Sequence, residues 1–444
     1  MAKSIIEKPP FDYKKAMLLS EYFDVDYLIK YKETDSKGRY LYWDQFKWRV
    51  DKADDPKKAW FATKYARYTN QKSISLKDKN QKEFTFTVPD TLQAKLFKIS
   101  NLAGQGLIPH NSIKNQYLLS SLIMEEAISS SQLEGASTTR KVAKEILISE
   151  RKPKTKDEQM ILNNYLLMKE IIRLKDEELT VDMILSLHQI ATKGCKDNEN
   201  IAGELRESDD IVIVDIDSNI LHQPPSYKEL PNRLKELCDF ANQTHTGEDG
   251  TTFIHPVIKA MILHFMIGYE HPFADGNGRT ARAIFYWFML KNGFDYFEYI
   301  SISKLLKEAP KKYALSYLYS ETDDNDLTYF LYYQVEIILR AIDELLDYLQ
   351  QKSVEYEEIS YILKESSLHK RLNFVQKDII KKAIKNPGRT FTAYEISADY
   401  DLSPTTARKY LNELVSYKIL ISYKDGKTKA YITPANLTDI IKAT

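Results

Sequence analysis

His255-Pro-Val-Ile-Lys-Ala-Met-Ile-Leu-His-Phe-Met-Ile-Gly-Tyr-Glu270 runs straight into His271-Pro-Phe-Ala-Asp-Gly-Asn-Gly-Arg-Thr-Ala-Arg282 and then Ala283-Ile-Phe-Tyr-Trp-Phe-Met-Leu290. In the first stretch Met261, Ile262, Phe265, Met266 and Tyr269 recur at intervals of three and four, the spacing of a buried helix, and Pro272 ends it. A second helix starts near Gly278, carries Phe285, Tyr286, Phe288 and Met289, and reaches about Lys291, with Gly293 as its C-terminal cap. Only a short glycine-bearing loop joins the two.

Composition extends this helical reading to the whole chain. Of 444 residues 14 are glycine, about 3% against the usual ~7%, which favours long helices over an all-β chain needing many turns. The length suggests about three domains of ~150 residues each. Lys plus Arg and Asp plus Glu are both 63, which excludes a chain that coats nucleic acid or membrane throughout, so any charge-driven partner is met locally. Cys195 and Cys238 are too few for a disulfide framework or a four-thiolate zinc site and suit a reducing compartment. Residues 1–8 lack the apolar run of a signal peptide, and Ala283–Leu290, shut in by Arg282 and Lys291, falls short of the ~20 apolar residues of a membrane span. The expectation is a soluble, cytoplasmic protein with no membrane partner.

Texture divides the chain into four parts. Residues 1–100 form a mixed region in which Tyr40-Leu-Tyr-Trp-Asp and Phe84-Thr-Phe-Thr-Val read as short strands among loops. A mainly α core follows over 101–345. Its first helix runs from about Ile113 to Glu134, with Leu118, Leu119, Leu122, Ile123 and Ala127 on one face and Gly135 as the stop. Within the core, Ile211-Val-Ile-Val-Asp and Leu221-His-Gln-Pro-Pro read as an extended hairpin. A linker helix over 346–370 leads to a basic unit, 371–444, holding 13 Lys plus Arg against 7 Asp plus Glu. There Gln376–Ile384, Ala393–Tyr400 and a helix capped by Ser403-Pro404 stand in helix-turn-helix order, and a hairpin with arms Ile419–Tyr423 and Ala430–Thr433 turns at Asp425-Gly426.

The loop carries the chemistry. A glycine-bearing turn that opens a helix aims backbone N–H groups and the positive end of the helix dipole outward, which makes an anion site. Gly276 and Gly278 let the backbone approach a phosphate, and Arg279 and Arg282, three apart on one helix face, supply two guanidinium forks. Asp275 would be repelled by a phosphate unless a cation bridges them, so Mg²⁺ is expected there. His271 is the side chain best tuned to accept a proton near neutrality. No Walker sequence occurs, and His264 with His271 make a weak zinc pair, seven apart and without a second metal-binding pattern.

This string resembles the signature of the Fic family, H-x-F-x-[DE]-G-N-G-R-x-x-R, matched at every specified position, with similarity over about residues 113–345. The resemblance implies a Fic-type helical core and transfer of AMP from ATP to a Ser, Thr or Tyr hydroxyl of a target protein, possibly this chain itself. It assigns His271 as the base, Phe273 as an anchor in the core and Asp275 to Mg²⁺. Gly276, Asn277 and Gly278 go to the α-phosphate, and Arg279 and Arg282 to the β- and γ-phosphates. Position 281 is Ala where many relatives have Gly. Ser130-Ser-Gln-Leu-Glu-Gly135 is similar to the family's inhibitory motif. Glu134, in the last turn of a helix, needs a compensating cation, and pairing with Arg282 would displace the γ-phosphate. Ile211, Val212, Ile213, Val214 and His222 resemble the flap that pins a target strand. Gly203-Glu-Leu-Arg206 resembles a recurrent element whose role the sequence leaves unassigned. Tyr313 either stacks near adenine or fills the helical core.

The basic unit resembles a winged helix-turn-helix domain. Thr405, Thr406, Arg408, Lys409 and Asn412 fall on or near its third helix, and Lys424, Lys427 and Lys429 mark the wing, an arrangement suited to duplex DNA. The same unit serves equally to pair subunits as a homodimer or to recruit a substrate. Three functions therefore stand at this stage: a protein adenylyltransferase restrained by Glu134, a hydrolase that removes AMP, and a DNA-binding regulator with a Fic sensor.

Overall fold

The computed structural model describes residues 6–18, 20–103, 124–139, 142–143, 146–147, 152–195, 202–214, 219–364, 371–385, 388–425, 428–434 and 437–442. The chain is mainly helical. Its main helices are α1 (Pro56–Thr69), α2 (Asp90–Ala103), α3 (124–133), α4 (Lys156–Arg173), α5 (Val181–Thr192), α6 (Leu230–Asn242), α7 (Pro256–Glu270) and α8 (Asn277–Lys291). There follow α9 (Ile302–Glu308), α10 (Pro310–Thr322), α11 (Thr328–Lys364), α12 (Phe374–Lys385), α13 (Ala393–Asp399) and α14 (Pro404–Ser416).

Helices α7 and α8 lie at the centre. Every residue from Val257 to Ile267 is buried, as is every residue from Arg279 to Leu290. A helix apolar on all sides belongs in the middle of a core rather than on its surface. Pro256 stands at the first turn of α7, where its missing N–H is harmless, and the His255 ring accepts a hydrogen bond from Val257 N–H at 3.2 Å. At the far end the buried Arg233 of α6 holds Glu270 in a two-pronged pair, at 2.6 and 2.7 Å. Around this pair of helices one continuous apolar core runs from Ile6 to Leu345.

The first hundred residues depart from the expectation of strands among loops. Helices α1 and α2 dominate, and one antiparallel hairpin, β1 (Lys72–Lys77) with β2 (Glu83–Phe86), lies between them in the chain. Tyr40–Trp43 is not a strand: all four side chains are buried, so their succession marks no two-faced sheet, and Trp43–Phe46 is a helical turn. Thr85 ties β2 to the entry of α11, accepting from Leu327 N–H at 2.8 Å and donating to Asn325 O at 3.1 Å. Helix α11 runs unbroken from Thr328 to Lys364, so most of the expected linker helix continues a core helix.

The flap hairpin is short. β3 (Ile213–Val214) pairs antiparallel with β4 (Ile220–His222), and Ile211 and Val212 precede it without strand pairing; its tip, 215–218, lies outside the described residues. So do Leu118, Leu119, Leu122 and Ile123 of the expected first core helix, and Gly426 and Lys427 at the wing turn.

A second, separate core, Leu372 to Ile441, unites α12, α13 and α14 with a three-stranded sheet. Its strands β5 (Thr390–Thr392), β6 (Ile421–Asp425) and β7 (Thr428–Ile432) lie in the order β5-β7-β6, all antiparallel. The Ser403 hydroxyl caps α14 by accepting from Thr406 N–H at 3.1 Å, with Pro404 in the first turn. Among the described residues no helix is long and apolar enough to cross a membrane.

Candidate active site

The loop between α7 and α8 is held by its own polar groups. His271 ends α7 in a left-handed conformation, φ 44°, ψ 56°, which turns the chain sharply at a residue where a β-carbon makes that conformation costly. Asn277 closes the turn behind it. Its Oδ1 accepts from Phe273 N–H at 2.9 Å and its Nδ2 donates to Phe273 O at 2.7 Å. The expected phosphate ligand is thus also the clamp of its own loop. Gly276, φ 82°, precedes the first turn of α8, and a β-carbon there would lie 2.8 Å from the Thr192 methyl. This glycine is required twice, by backbone conformation and by packing.

Two residues that the sequence did not mark as functional fix this loop from outside. The ring of His188 on α5 stacks on buried Phe273, centroids 3.7 Å apart and planes 1° apart. Its Nδ1 accepts from Gly203 N–H at 3.0 Å, so Nε2 carries the hydrogen and donates to Asp275 O at 2.8 Å. Burial holds this ring's pKa down to about 4, so it serves as a neutral bolt. Arg206 gives the Gly203-Glu-Leu-Arg206 element its role. Its Nε donates to His271 O at 3.0 Å, its Nη1 to Ser208 O at 2.8 Å and Asp209 Oδ1 at 2.9 Å, and its Nη2 to Pro225 O. One buried guanidinium therefore fastens the flap base to the backbone of the expected catalytic histidine.

His271 itself is half-buried beside the loop. Burial pushes its pKa down to about 4, opposed by its Nδ1–H contact to Gly268 O at 3.4 Å. The ring is neutral at pH 7, with the Nε2 lone pair available. It lines a cavity of about 290 Å³ together with Glu134, Ile213, Leu221, His222, Asn277, Gly278, Tyr313, Tyr317 and Glu321. Ligand cavities usually span ~300–1,000 Å³, so this one is at the small end.

The two arginines part ways instead of facing one space. Arg279 is buried, donating from Nη1 to Ala191 O at 2.7 Å and from Nη2 to Asp275 Oδ2 at 3.0 Å. Arg282 is buried against α3: Nε donates to Ser130 Oγ at 3.0 Å, and Nη2 to Ser130 O at 3.3 Å and Glu134 Oε1 at 2.8 Å. Glu134 reaches this position over Gly278, where a β-carbon would come within 2.3 Å of Oε1. Gly135, φ 99°, turns the chain away immediately afterwards. Helix α3 is itself docked by buried Glu126, which accepts from Ser301 Oγ at 2.8 Å, Ser303 N–H at 3.2 Å and the Ser303 hydroxyl. Asn164 adds a bond to Ser131 Oγ at 2.7 Å.

Tyr313 does both things the sequence left open, packing against the core and lining the cavity, with its hydroxyl 2.8 Å from His264 Nε2. His222 is buried and binds at both nitrogens, Nδ1 to Glu321 Oε2 at 2.6 Å and Nε2 to Tyr269 O at 2.7 Å. Asp275 keeps 45% of its side chain exposed beside the loop. Thr405, Arg408 and Lys409 are exposed on α14, and Thr406 is partly so. Asn412 turns back to the wing, accepting from Lys429 Nζ at 2.9 Å and Tyr431 Oη at 3.0 Å.

Residues 178–289 match the Fic/DOC family. A protein adenylyltransferase, fic-1, of Caenorhabditis elegans is 32% identical over 133 residues, 30% of this chain and 22% of that protein. The protein adenylyltransferase Fic of Nematostella vectensis is 29% identical over 138 residues, 29% of either chain. The match thus spans under a third of these relatives' own lengths. Among solved structures, a Fic family protein from Desulfovibrio desulfuricans G20 superposes with a TM-score of 0.49 at 17% identity, covering 78% of this chain and 95% of that one. C. elegans Fic-1 does so at 0.46 and 20%, covering 58% and 73%. The His271–Arg282 loop lies near the end of the stretch, residues 178–289, that matches the Fic/DOC family.

Proposed function

We propose that the protein transfers AMP from ATP to a hydroxyl side chain of a protein and is held back by Glu134. The observation that carries this reading is a neutral, half-buried His271 lining a cavity that is also lined by Glu134, the partner of Arg282. The target hydroxyl gives its proton to His271 Nε2 as its oxygen bonds to the α-phosphorus. The bond from that phosphorus to the bridging oxygen breaks, and pyrophosphate leaves. The N–H groups at the start of α8 receive the α-phosphate charge. Asp275 fits Mg²⁺, as a half-exposed carboxylate next to the phosphate position, the donor set that this ion combines with substrate oxygens and water. When bound, the cation neutralises phosphate charge.

While Arg282 is spent on Glu134 and Ser130, it is not available to the γ-phosphate, and the triphosphate is not aligned for attack. Glu134→Gly should therefore raise self-labelling at least tenfold on the scale of one aligned charge contact, about 1.4 kcal/mol. Intact mass after incubation with ATP and Mg²⁺ reads this as one added AMP. Equal labelling of the wild type and Glu134→Gly overturns the restraint, and a retained γ-phosphate label overturns AMP transfer in favour of a kinase.

Because Glu134 lines the cavity together with His271, removal of AMP by a water that Glu134 orients is the second reading. An AMP-modified protein that loses its label with the wild type, and keeps it with Glu134→Gly, would establish it. The exposed row Thr405, Arg408 and Lys409 on α14 favours a further role for the basic unit, binding duplex DNA. Binding that weakens steeply with salt supports it.

A further inference from the structure

Glu126, Ser130 and Glu134 follow one another at intervals of four along α3 and its last turn. Ser130 and Glu134 bind Arg282 directly. Glu126 feels the same guanidinium charge but spends its own bonds elsewhere. Only 2% exposed, its carboxylate accepts at Oε2 from Ser301 Oγ at 2.8 Å and Ser303 N–H at 3.2 Å, and at Oε1 from the Ser303 hydroxyl. Tyr286 of α8, one turn beyond Arg282, holds the same segment from its own side, donating to Ile300 O at 2.9 Å and accepting from Ile302 N–H at 2.9 Å. The contacts close a ring. Arg282 leads along α8 to Tyr286, Tyr286 to residues 300–302, Ser301 and Ser303 to Glu126, and Glu126 along α3 to Glu134 and back to Arg282.

We propose that Glu126 is a positioning residue of the restraint: it anchors α3 to the segment entering α9 and so delivers Glu134 to Arg282, an inference that rests on the restraint proposed above. Two other side-chain bonds hold α3 to its neighbours. Asn164 joins Ser131 Oγ at 2.7 Å, between neutral groups, and Lys307 Nζ donates to Gln132 Oε1 at 2.6 Å in contact with water. Neither matches three donors converging on a buried carboxylate, since bonds to a charged group are about twice as strong as neutral ones and strongest away from water. Weakening that anchor leaves Ser303 N–H and two hydroxyls short of an acceptor. Helix α3 then leaves its docked position more often, Glu134 goes with it, and Arg282 is released. Glu126 is not among the residues that line the cavity, so its effect on the reaction passes through Glu134.

The test compares self-labelling from ATP and Mg²⁺, read by intact mass, in the full chain as wild type, Glu126→Gln, Glu134→Gly and the double variant. Glu126→Gln keeps the shape but offers one carbonyl oxygen and turns an N–H₂ toward groups that need an acceptor. Labelling should rise about three- to tenfold over wild type, the effect of a weakened charge-assisted bond on a docking equilibrium, and stay below that of Glu134→Gly. In the Glu134→Gly background the same change should alter labelling by less than about twofold, because no restraint remains to be positioned. A Glu126 that only supports the fold would leave labelling unchanged or lower it by the same factor in both backgrounds. That result overturns the assignment, as does a folded Glu126→Gln that labels no faster than wild type. Should Glu126→Gln fail to fold, Ser303→Ala withdraws one donor and leaves the carboxylate in place; a rise of about two- to threefold, absent from the Glu134→Gly background, supports the anchor, and no rise overturns it. Amide hydrogen exchange over residues 124–134 is the readout independent of catalysis: it should quicken in Glu126→Gln while α7 stays protected, and unchanged exchange overturns the anchor. A Glu134→Gly chain that takes up no AMP overturns the transfer reading instead, and the exchange result still decides whether Glu126 holds α3.

Discussion

The loop before α8 and the exposed face of α14 are both helix N-terminal regions rich in polar residues, yet they are built in opposite ways. In the loop, Asn277, Arg279 and Arg282 are buried, and each has side-chain bonds to named backbone or carboxylate oxygens. On α14, Thr405, Arg408 and Lys409 stand in solvent over a well-packed core of Ala407, Leu411 and Leu414. Burying polar groups is unfavourable unless they are paired, so these bonds hold the loop in one geometry, with Arg279 Nε left as a buried donor without a partner among the described residues. The α14 face has no such constraint. It offers charge without a fixed geometry, which suits a long-range electrostatic partner and gives no reason to expect chemistry.

The sharpest break in that comparison is His271→Ala in the Glu134→Gly background. A positioned general base contributes about 10²–10⁴-fold in rate. AMP incorporation should fall by that factor, with melting little changed because among the described residues the ring makes one long hydrogen bond. A rate within a few-fold of the parent would remove His271 from its role.

Acid should separate the two regions next. Burial lowers the pKa of His264 to about 3 and of His271 to about 4, from an ordinary value of 6.5. As pH falls below about 6.5 the unfolded chain takes up protons on these rings that the folded chain refuses until far lower pH. The unfolded state then binds more protons, so stability is full above pH 7 and declines on acidification, by up to about 1.4 kcal/mol per histidine per pH unit. Glu126 and Glu270, raised by burial, act in the opposite sense, but only as pH nears the carboxylate range. Residues 371–444 contain no histidine. All four tryptophans, at 43, 48, 60 and 287, lie in the larger region, so tryptophan fluorescence melts report it alone. The melting temperature by this signal should drop between pH 7 and 5, while the AMP-transfer rate below the melt stays flat, because His271 remains unprotonated.

What the sequence made legible follows the same division between patterns and pairings. The α7 and α8 helices stood out because apolar spacing, Pro272 and Gly293 all agreed. The order of α12, α13 and α14 was legible for the same reason, with Ser403-Pro404 as a local start signal. The strand reading of Tyr40–Trp43 failed because every side chain there is buried, and alternation carries information only where one face meets water. Strand β5 is three residues long and takes its partner from forty residues away, too little pattern to detect. His188 and Arg206 escaped as site residues because they act on the backbone carbonyls of Asp275 and His271, and a carbonyl has no signature in sequence. Gly203-Glu-Leu-Arg206 was noticed as a string, but its meaning lay in a chain segment 65 positions downstream. Glu134 with Arg282 was the exception among long-range pairs, because Ser130-Ser-Gln-Leu-Glu-Gly135 resembles an inhibitory motif and a helix-end carboxylate demands a cation.

The smallest effect expected is the one that tests the exposed face. Arg408 is exposed on α14, and no hydrogen bond or ion pair holds its side chain among the described residues. Arg408→Ala should therefore change stability by no more than about 0.5 kcal/mol, the usual range for a surface site. If α14 contacts duplex DNA, the same change removes one cation from the interface. The dependence of binding on salt should then lose about one phosphate contact, a slope change near 0.9 in log affinity against log salt. A stable variant with an unchanged salt slope would place DNA away from this helix, and a large loss of stability would show that Arg408 belongs to the fold after all. Either result would erase the contrast with the loop, where no arginine can be removed so quietly.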